Sequence, residues 1–460
     1  MLDVMRLSDL VSPLAATLKG VDAEFDSVAF DSRAIQPGGL FVALAGTRTN
    51  GHDHLADARA RGATCAMVEY LVEDPLPQLL VHDSLRALGQ LAGLARAAYS
   101  GPLVAITGSS GKTTVKEMVA AILRPLGSVL ATQGNLNNEI GVPMTLLGLS
   151  NEHRYAVIEM GAAARGDIAY SMEIAKPTVS VLTNAGNAHV GRFGSLDNIA
   201  KAKSEIFSCL STKGKAVINL DSPWFEDWYQ LLGKRKSYVF SLKNPTAEVR
   251  AESIKLDDRG CPGFLLVTPK GEVNVQLNLL GQHNVANALA ATGAALALDV
   301  ELEYIQRGLA SVQPMQGRAA SRQGRQGSVI IDDSYNASPA SVKAAIDLLA
   351  CFDGRRILVL GDMAELGEWE SDCHQEIGEH ARQQGLDGLY AVGRLSALAA
   401  NRFGEGAQQF ASKSELVEAL KAQLGPDVRV LVKGSRSAGM EEVVAGLVAT
   451  VDDDNDRKVG

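Results

Sequence analysis

The sequence predicts an α/β protein of three domains: a small N-terminal α/β domain over residues 1–83, a central P-loop-type parallel-sheet domain over 84–314, and a C-terminal Rossmann-like domain over 315–460. Three observations lead there. The chain has 460 residues, and at roughly 150 residues per domain that length suits about three. From about residue 100, β-rich apolar runs (LVAIT, SVLAT, YAVIEM, VSVLTN) alternate with helical stretches, the pattern of a parallel sheet with helical crossovers. Near Gly317 the alternation restarts with SVIIDD, RRILVLGDM, GLYAVG and VRVLVKGS.

In chain order, residues 1–83 mix short apolar runs (LFVAL, CAMVEY, LPQLLVH) with turns, and DSLRALGQLAGLARAAYS reads as a helix leading into the central unit. The longest stretch free of Asp, Glu, Lys and Arg is VNVQLNLLGQHNVANALAATGAALAL. Its Gln, Asn, His and Gly make it a buried helix and not a membrane span. The hydrophobic fraction of 46% and charged fraction of 21% are those of an ordinary globular chain. A net charge of −9 argues against a general nucleic-acid partner, which needs a basic face, yet leaves room for a local basic pocket. Five scattered cysteines without a CxxC fit free thiols in a reducing cytosol. MLDVMRLSDL has no apolar core of a signal peptide, so a cytoplasmic location is expected. The acidic DDDNDRKVG reads as a frayed tail.

The segment Thr107–Thr114, TGSSGKTT, lies between a strand pattern and the helical VKEMVAAIL. Unpaired N–H groups and the helix dipole favour anions at such a junction. The usual phosphate-loop pattern puts a Gly six residues before its Lys, but that position is Ile106. The loop is therefore short. Its chemistry still suits a phosphate: Gly108 and Gly111 admit close approach, Lys112 can reach terminal phosphates, and Thr113 offers a hydroxyl to Mg²⁺. No NKxD and no GxGxxG occurs, which excludes a guanine-reading switch of the usual kind and a dinucleotide dehydrogenase.

Ligands of open α/β sheets bind beyond the carboxyl ends of strands. RYAVIEMG places Glu159 there, and VSVLTNAGNAHVG places Thr183 and Asn184 there with Asn187 and His189 just beyond. A Glu and a neutral His at that edge suit Mg²⁺; a loop histidine making one hydrogen bond is the bland alternative for His189. In IAKAKSEIF, charge pattern gives no reason to choose Lys203 over Lys201.

These segments together resemble the Mur ligases, the ATP-dependent amide-bond-forming enzymes of peptidoglycan synthesis. The resemblance spans essentially the whole chain: FDSRAIQPGGLFVALAGTRTNGHDHL, TGSSGKTT, GNLNNEIGVP, IEMG, TNAGNAHVG, GQHNVANALAA, QGRAA, DDSYNASPAS, GDMAELGE and KGSRS occur in family order. Within the family, the Ser-Ser loop, SYN, GDMAELG and KGSR favour the branch that joins D-alanyl-D-alanine to UDP-N-acetylmuramoyl-tripeptide. The DYAHTPD-like segment of the ligase adding the third residue is absent.

The resemblance implies roles. ATP would be held by Thr107, Gly108, Ser109, Ser110, Gly111, Lys112, Thr113 and Thr114, with Asn284 and Asn287 on the adenine side. Arg318, Asp333, Tyr335 and Asn336 would complete that site from the C-terminal domain. Thr113, Glu159 and His189 would hold two Mg²⁺, joined by Lys203 if it is carbamylated; an unmodified Lys203 beside the acyl phosphate is the alternative. Lys112, Lys203, His189 and Glu159 would form the catalytic set. Ser32, Arg33 and Asn50 would contact the uridine diphosphate, a solvated turn being the alternative for each. Lys433 and Arg436 either bind a substrate carboxylate or are solvated. Ser338 and Ser341 read as a helix cap; the family more often has Asn-Pro where this chain has Ser338-Pro339. The resemblance further implies small-molecule substrates only, no nucleic acid and a monomer. Two rivals stand beside it: a folylpolyglutamate synthase, which would lack the DSR segment, and a nucleotide-binding scaffold without ligation chemistry.

Overall fold

A computed structural model describes residues 4–46, 49–186 and 190–449. Three main sheets follow one another along the chain. In the first, Ser27–Ala29, Gly39–Val42, Cys65–Val68 and Gln78–Leu80 run parallel, and Thr17–Lys19 closes one edge antiparallel. Its middle strands, GLFV and CAMV, are buried along their whole length, as expected of parallel strands covered on both faces.

The helix Ser84–Ala98 leads out of this sheet. Its N-terminus is capped by Asp83, whose carboxylate accepts the Arg86 N–H at 2.9 Å. Its buried face (Leu88, Leu91, Ala92, Ala95) joins one apolar core with residues from both the first and the second sheet.

The second sheet has nine strands, in the spatial order Val129–Ala131, Tyr155–Glu159, Leu103–Thr107, Val179–Leu182, Lys215–Asn219, Ser237–Ser241, Val249–Leu256, Pro262–Thr268 and Gly271–Gln276. The first seven are parallel and the last two antiparallel. The chain leaves Leu103–Thr107 towards one edge and later returns to its other side at Val179–Leu182. That reversal opens a crevice beyond the carboxyl ends of the strands. The third sheet has six strands, with Val329–Asp333, Val428–Lys433, Arg355–Gly361, Gly388–Val392 and Ala407–Phe410 parallel and Ala320–Gln323 antiparallel at one edge.

Two features depart from the sequence reading. The charge-free stretch is only partly helical: its start, from Val273, completes the last strand of the central sheet, and the buried helix is confined to His283–Ala297. The strands between 215 and 276 also extend the central sheet well past its four anticipated members. One of them, Val249–Leu256, escapes a periodicity argument because it carries an irregularity between Glu252 and Lys255, where Ser253 takes φ 53°, and a bulge breaks the two-residue alternation. All five cysteines are free thiols, as expected. Among the described residues no helix is long and apolar enough to cross a membrane.

Candidate functional site

The carboxyl ends of the central and C-terminal sheets face a shared cleft of about 640 Å³. On the central side, Leu103–Thr107 is wholly buried and hands over to the helix Lys112–Leu123 through Gly108–Gly111. The loop is fastened to the neighbouring strand's end. Ser110 N–H donates to Asn184 Oδ1 at 3.0 Å, Thr183 Oγ1 donates to Ser110 C=O at 2.7 Å, and Ser109 Oγ exchanges hydrogen bonds with the Gly186 backbone. Gly111 adopts φ 78°, and a Cβ there would collide with the Asn287 carboxamide. Only glycine meets both conditions.

Lys112 folds back so that its ammonium donates to Gly108 C=O at 3.0 Å. Burial lowers its pKa, the nearby Glu159 charge opposes that, and Arg318 across the cleft adds to it. Thr113 is buried at the cleft wall.

Glu159 ends Tyr155–Glu159 and is 2% exposed. Its backbone N–H donates to Thr132 Oγ1 at 2.9 Å, and its Oε1 accepts from Asn137 Nδ2 at 2.7 Å. Its Oε2 is buried with no hydrogen-bond partner. A buried, unpaired carboxylate oxygen is costly unless a ligand completes it. With Thr113 lining the same cleft at a helix N-terminus, it fits a divalent cation. No group of three or more His, Cys, Asp or Glu able to hold a metal occurs among the described residues. Mg²⁺ takes one or two carboxylates and fills its remaining positions with water and phosphate oxygens, so the unpaired Glu159 oxygen is a ligand of the kind it uses. His189 and Asn187 lie outside the described residues.

Lys203 is on the helix Leu196–Ser208, which Ser195 caps through the Asn198 N–H at 3.2 Å. Two residues apart on a helix point to different faces: Lys201 is exposed, whereas Lys203 is 2% exposed on the cleft wall. No hydrogen bond or ion pair ties Lys203 to any described residue. Burial, reinforced by the Lys112 charge, pulls its pKa down to about 7.

The helix His283–Ala297 delivers Asn284 and Asn287, both buried. Asn284 donates to Leu280 C=O at 2.8 Å, and Asn287 donates to Asn284 Oδ1 at 2.8 Å. The opposite wall is C-terminal. Arg318 lies over the Tyr335 ring, 4.3 Å from its centroid. Asp333 accepts the Ala319 N–H at 3.1 Å and forms an ion pair with Lys433, which also donates to Asn336 C=O at 3.0 Å. Ser338 caps the helix Pro339–Ala350, its N–H donating to Ser341 Oγ at 2.9 Å.

Six anticipated residues do not line this cleft: Thr107 and Gly108, buried at the start of the loop, and Arg436, Ser32, Arg33 and Asn50. Arg436 pairs with Glu441 at 2.8 Å with its side chain 66% exposed. Ser32, Arg33 and Asn50 belong to the N-terminal sheet's surroundings. Arg33 is clasped by Asp31, and Asn50 links His52 to the Tyr70 hydroxyl. Sequence reasoning missed His283 and Asn137, which both line the cleft. His283 is reached by solvent through the cleft, yet the surrounding protein lowers its pKa, with Asp333 opposing and Lys433 reinforcing the shift. Their only signal was position, inside GQHN and GNLNN beside residues already singled out.

Comparison with known proteins agrees with this layout. Residues 24–96 match the family model described as Mur ligase family, catalytic domain; 106–295 match the Mur ligase middle domain; and 317–436 match the Mur ligase, glutamate ligase domain. The chain is 44% identical over 445 residues to UDP-N-acetylmuramoyl-tripeptide–D-alanyl-D-alanine ligase of Escherichia coli strain K12, covering 96% of this chain and 98% of the relative. A crystal structure of MurF from Acinetobacter baumannii superposes with a TM-score of 0.92 at 35% identity, covering 96% of this chain and 98% of that one. A MurF ligase from Thermotoga maritima in complex with ADP gives 0.82 at 30% identity, covering 91% and 96%. With its central and C-terminal sheets sharing one phosphate-loop cleft, and with relatives this similar over nearly its whole length, the chain belongs to the Mur ligase family.

Proposed function

We propose that this protein is the ligase that joins D-alanyl-D-alanine to UDP-N-acetylmuramoyl-tripeptide, releasing ADP and phosphate and giving the pentapeptide precursor of peptidoglycan. The observation that carries the reading is the cleft, where the phosphate loop, the unpaired Glu159 oxygen and the unpartnered Lys203 converge from one side and Arg318 closes from the other. A carboxylate is a poor electrophile at neutral pH. Transfer of the ATP γ-phosphoryl group to the tripeptide's terminal carboxylate makes an acyl phosphate. The dipeptide amine then attacks it, and the tetrahedral intermediate expels phosphate.

Catalysis of such a transfer is mainly positioning and charge neutralisation. The loop amides of Thr107–Thr114 and the Lys112 ammonium receive the polyphosphate. Asn284 and Asn287 meet the adenine side, and Arg318, Asp333, Tyr335 and Asn336 close from the C-terminal domain. Thr113 and Glu159, with His189, would hold Mg²⁺, which supplies neutralisation of the transferring phosphoryl charge. Ser32, Arg33 and Asn50 take the uridine diphosphate, and Lys433 lies on the wall that faces the dipeptide. The succession of sheets supports domain boundaries near residues 83 and 314, and closure about hinges near residues 100 and 315 would keep water from the acyl phosphate.

A lysine with a pKa near 7 is substantially a free amine at neutral pH, the form that adds CO₂ to give a carbamate and a proton. Carbamylated Lys203 is therefore part of the proposal, and a carbamate carbon signal in protein equilibrated with ¹³C-bicarbonate, lost in Lys203→Met, tests it. The reading is of a cytoplasmic monomer acting on small molecules. Phosphate release from ATP and Mg²⁺ tests the whole: release is expected only with both UDP-muramoyl-tripeptide and D-alanyl-D-alanine present, and release that ignores either substrate contradicts a ligase.

A further inference from the structure

Glu159 presents its two oxygens unequally. Oε1 is taken by the Asn137 carboxamide at 2.7 Å, and Oε2 is buried and unpaired. Asn137 is itself fixed. Its N–H donates to Asn135 C=O at 2.8 Å, and its C=O accepts the Gly161 N–H at 2.7 Å. A Cβ on Gly161 would come within 2.8 Å of Asn137 Oδ1, so the glycine keeps room for the amide. The strand end is buttressed too: Thr132 Oγ1 takes the Glu159 N–H at 2.9 Å, while Thr132 C=O accepts the buried Lys116 ammonium at 2.6 Å. The carboxylate is thus held by side chain and backbone together, with one oxygen committed and one left over.

We infer that Asn137 is a positioning residue that makes Glu159 a one-oxygen metal ligand, and that this sets a preference for Mg²⁺-sized ions over Ca²⁺. The inference deepens the proposed function and rests on its reading of Glu159 as a metal ligand. The physical reason is coordination habit. Mg²⁺ demands near-ideal octahedral geometry with short bonds, whereas Ca²⁺ accepts two-oxygen carboxylates in larger, flexible shells. A hydrogen bond that occupies Oε1 and fixes the carboxylate plane disfavours the two-oxygen mode. Groups that orient a ligand in this way typically control 10–100-fold in metal affinity.

The test reads metal binding through ADP affinity, because two ligands that couple do so by the same factor in both directions. Calorimetric titration of the full-length protein with ADP, without divalent metal and then with saturating Mn²⁺ or Ca²⁺, gives a coupling factor for each metal. Glu159→Gln should abolish the Mn²⁺ factor. Asn137→Ala should lower it about tenfold and bring the Mn²⁺ and Ca²⁺ factors closer together. Asn135→Ala, a neighbouring cleft residue, should leave it within about twofold, well short of the effect expected of an orienting group. Metal-free ADP binding should persist in all three and stay unchanged in Asn137→Ala and Asn135→Ala, which establishes that the cleft is folded. An Asn137→Ala factor equal to wild type, with Glu159→Gln still defective, overturns the positioning role. An unchanged Mn²⁺-to-Ca²⁺ ratio overturns the selectivity. A wild-type-like Glu159→Gln overturns the reading of Glu159 itself and the inference with it.

Discussion

Two buried lysines line the cleft, one on each wall, and they are treated differently. Lys433, 3% exposed, ends a C-terminal strand and is matched by Asp333 and by Asn336 C=O. Lys203, 2% exposed, has no such partner among the described residues, and its pKa falls to about 7. A buried charge is tolerated when paired and costly when not. The C-terminal wall therefore carries an internally neutralised charge that helps hold its sheet edge. The central wall keeps uncompensated groups, Lys203 with the Lys112 charge close by and the unpaired Glu159 Oε2, which the proposed function assigns to substrate and metal. Positions that cost stability in this way mark function more sharply than positions that supply it.

The contrast predicts opposite outcomes for similar substitutions. Lys433→Ala strands Asp333 beside a cavity and should cost about 3 kcal/mol, the low end for breaking a buried pair, because Asp333 keeps 17% side-chain exposure; urea unfolding midpoints measure it. Lys112→Ala should leave the fold intact and cut kcat about 10²–10³-fold, the usual price of one charge-stabilising donor, read by steady-state phosphate release. Lys203→Met should abolish turnover yet raise stability by roughly 1–2 kcal/mol, the range of substitutions that relieve a functional cost. A Lys203→Met protein less stable than wild type would break the comparison.

Acidity sharpens it further. In protein freed of CO₂, where Lys203 is an unmodified amine, its folded-state pKa lies near 7 and the unfolded value near 10.4. Between them the unfolded chain binds more protons, so the Lys203 contribution to stability rises with pH from about 7 to about 10 and is flat below. Lys203→Met should remove that slope, as measured by unfolding at stepped pH. The smallest effect belongs to Arg436→Ala: its exposed pair with Glu441 should be worth under about 0.5 kcal/mol, with kcat/KM essentially unchanged.

What could be read from the chain follows the range of the interactions involved. The phosphate loop was legible because strand, glycines, lysine and helix are contiguous. Glu159 was legible because a buried run ending in a carboxylate marks a strand's carboxyl end, whereas Asp333 came from the family resemblance alone. The burial of Lys203 was not, since IAKAKSEIF offers two lysines and only packing against the central sheet decides which turns inward. Resemblance to a family, and not charge pattern, selected it. Asn137 and His283 stayed hidden for the same reason: the Asn137–Glu159 contact spans 22 residues, and the groups around His283 come from a different sheet. Arg436 stayed open in the chain, because a basic residue between a strand and a helix reads equally as a ligand or as a solvated charge, and its exposed partner Glu441 is seen only in the structure.

The central claim is that the unmatched charges of the central wall serve to activate a carboxylate by phosphorylation. Positional isotope exchange in ATP labelled with ¹⁸O at the β,γ-bridge tests it directly, since reversible phosphoryl transfer lets the ADP β-phosphate rotate before ATP re-forms. The account predicts scrambling of the bridge label with UDP-muramoyl-tripeptide and Mg²⁺ before any D-alanyl-D-alanine is added, and none without the tripeptide. Peptide-bond formation at a normal rate in a protein that never scrambles the label would contradict it.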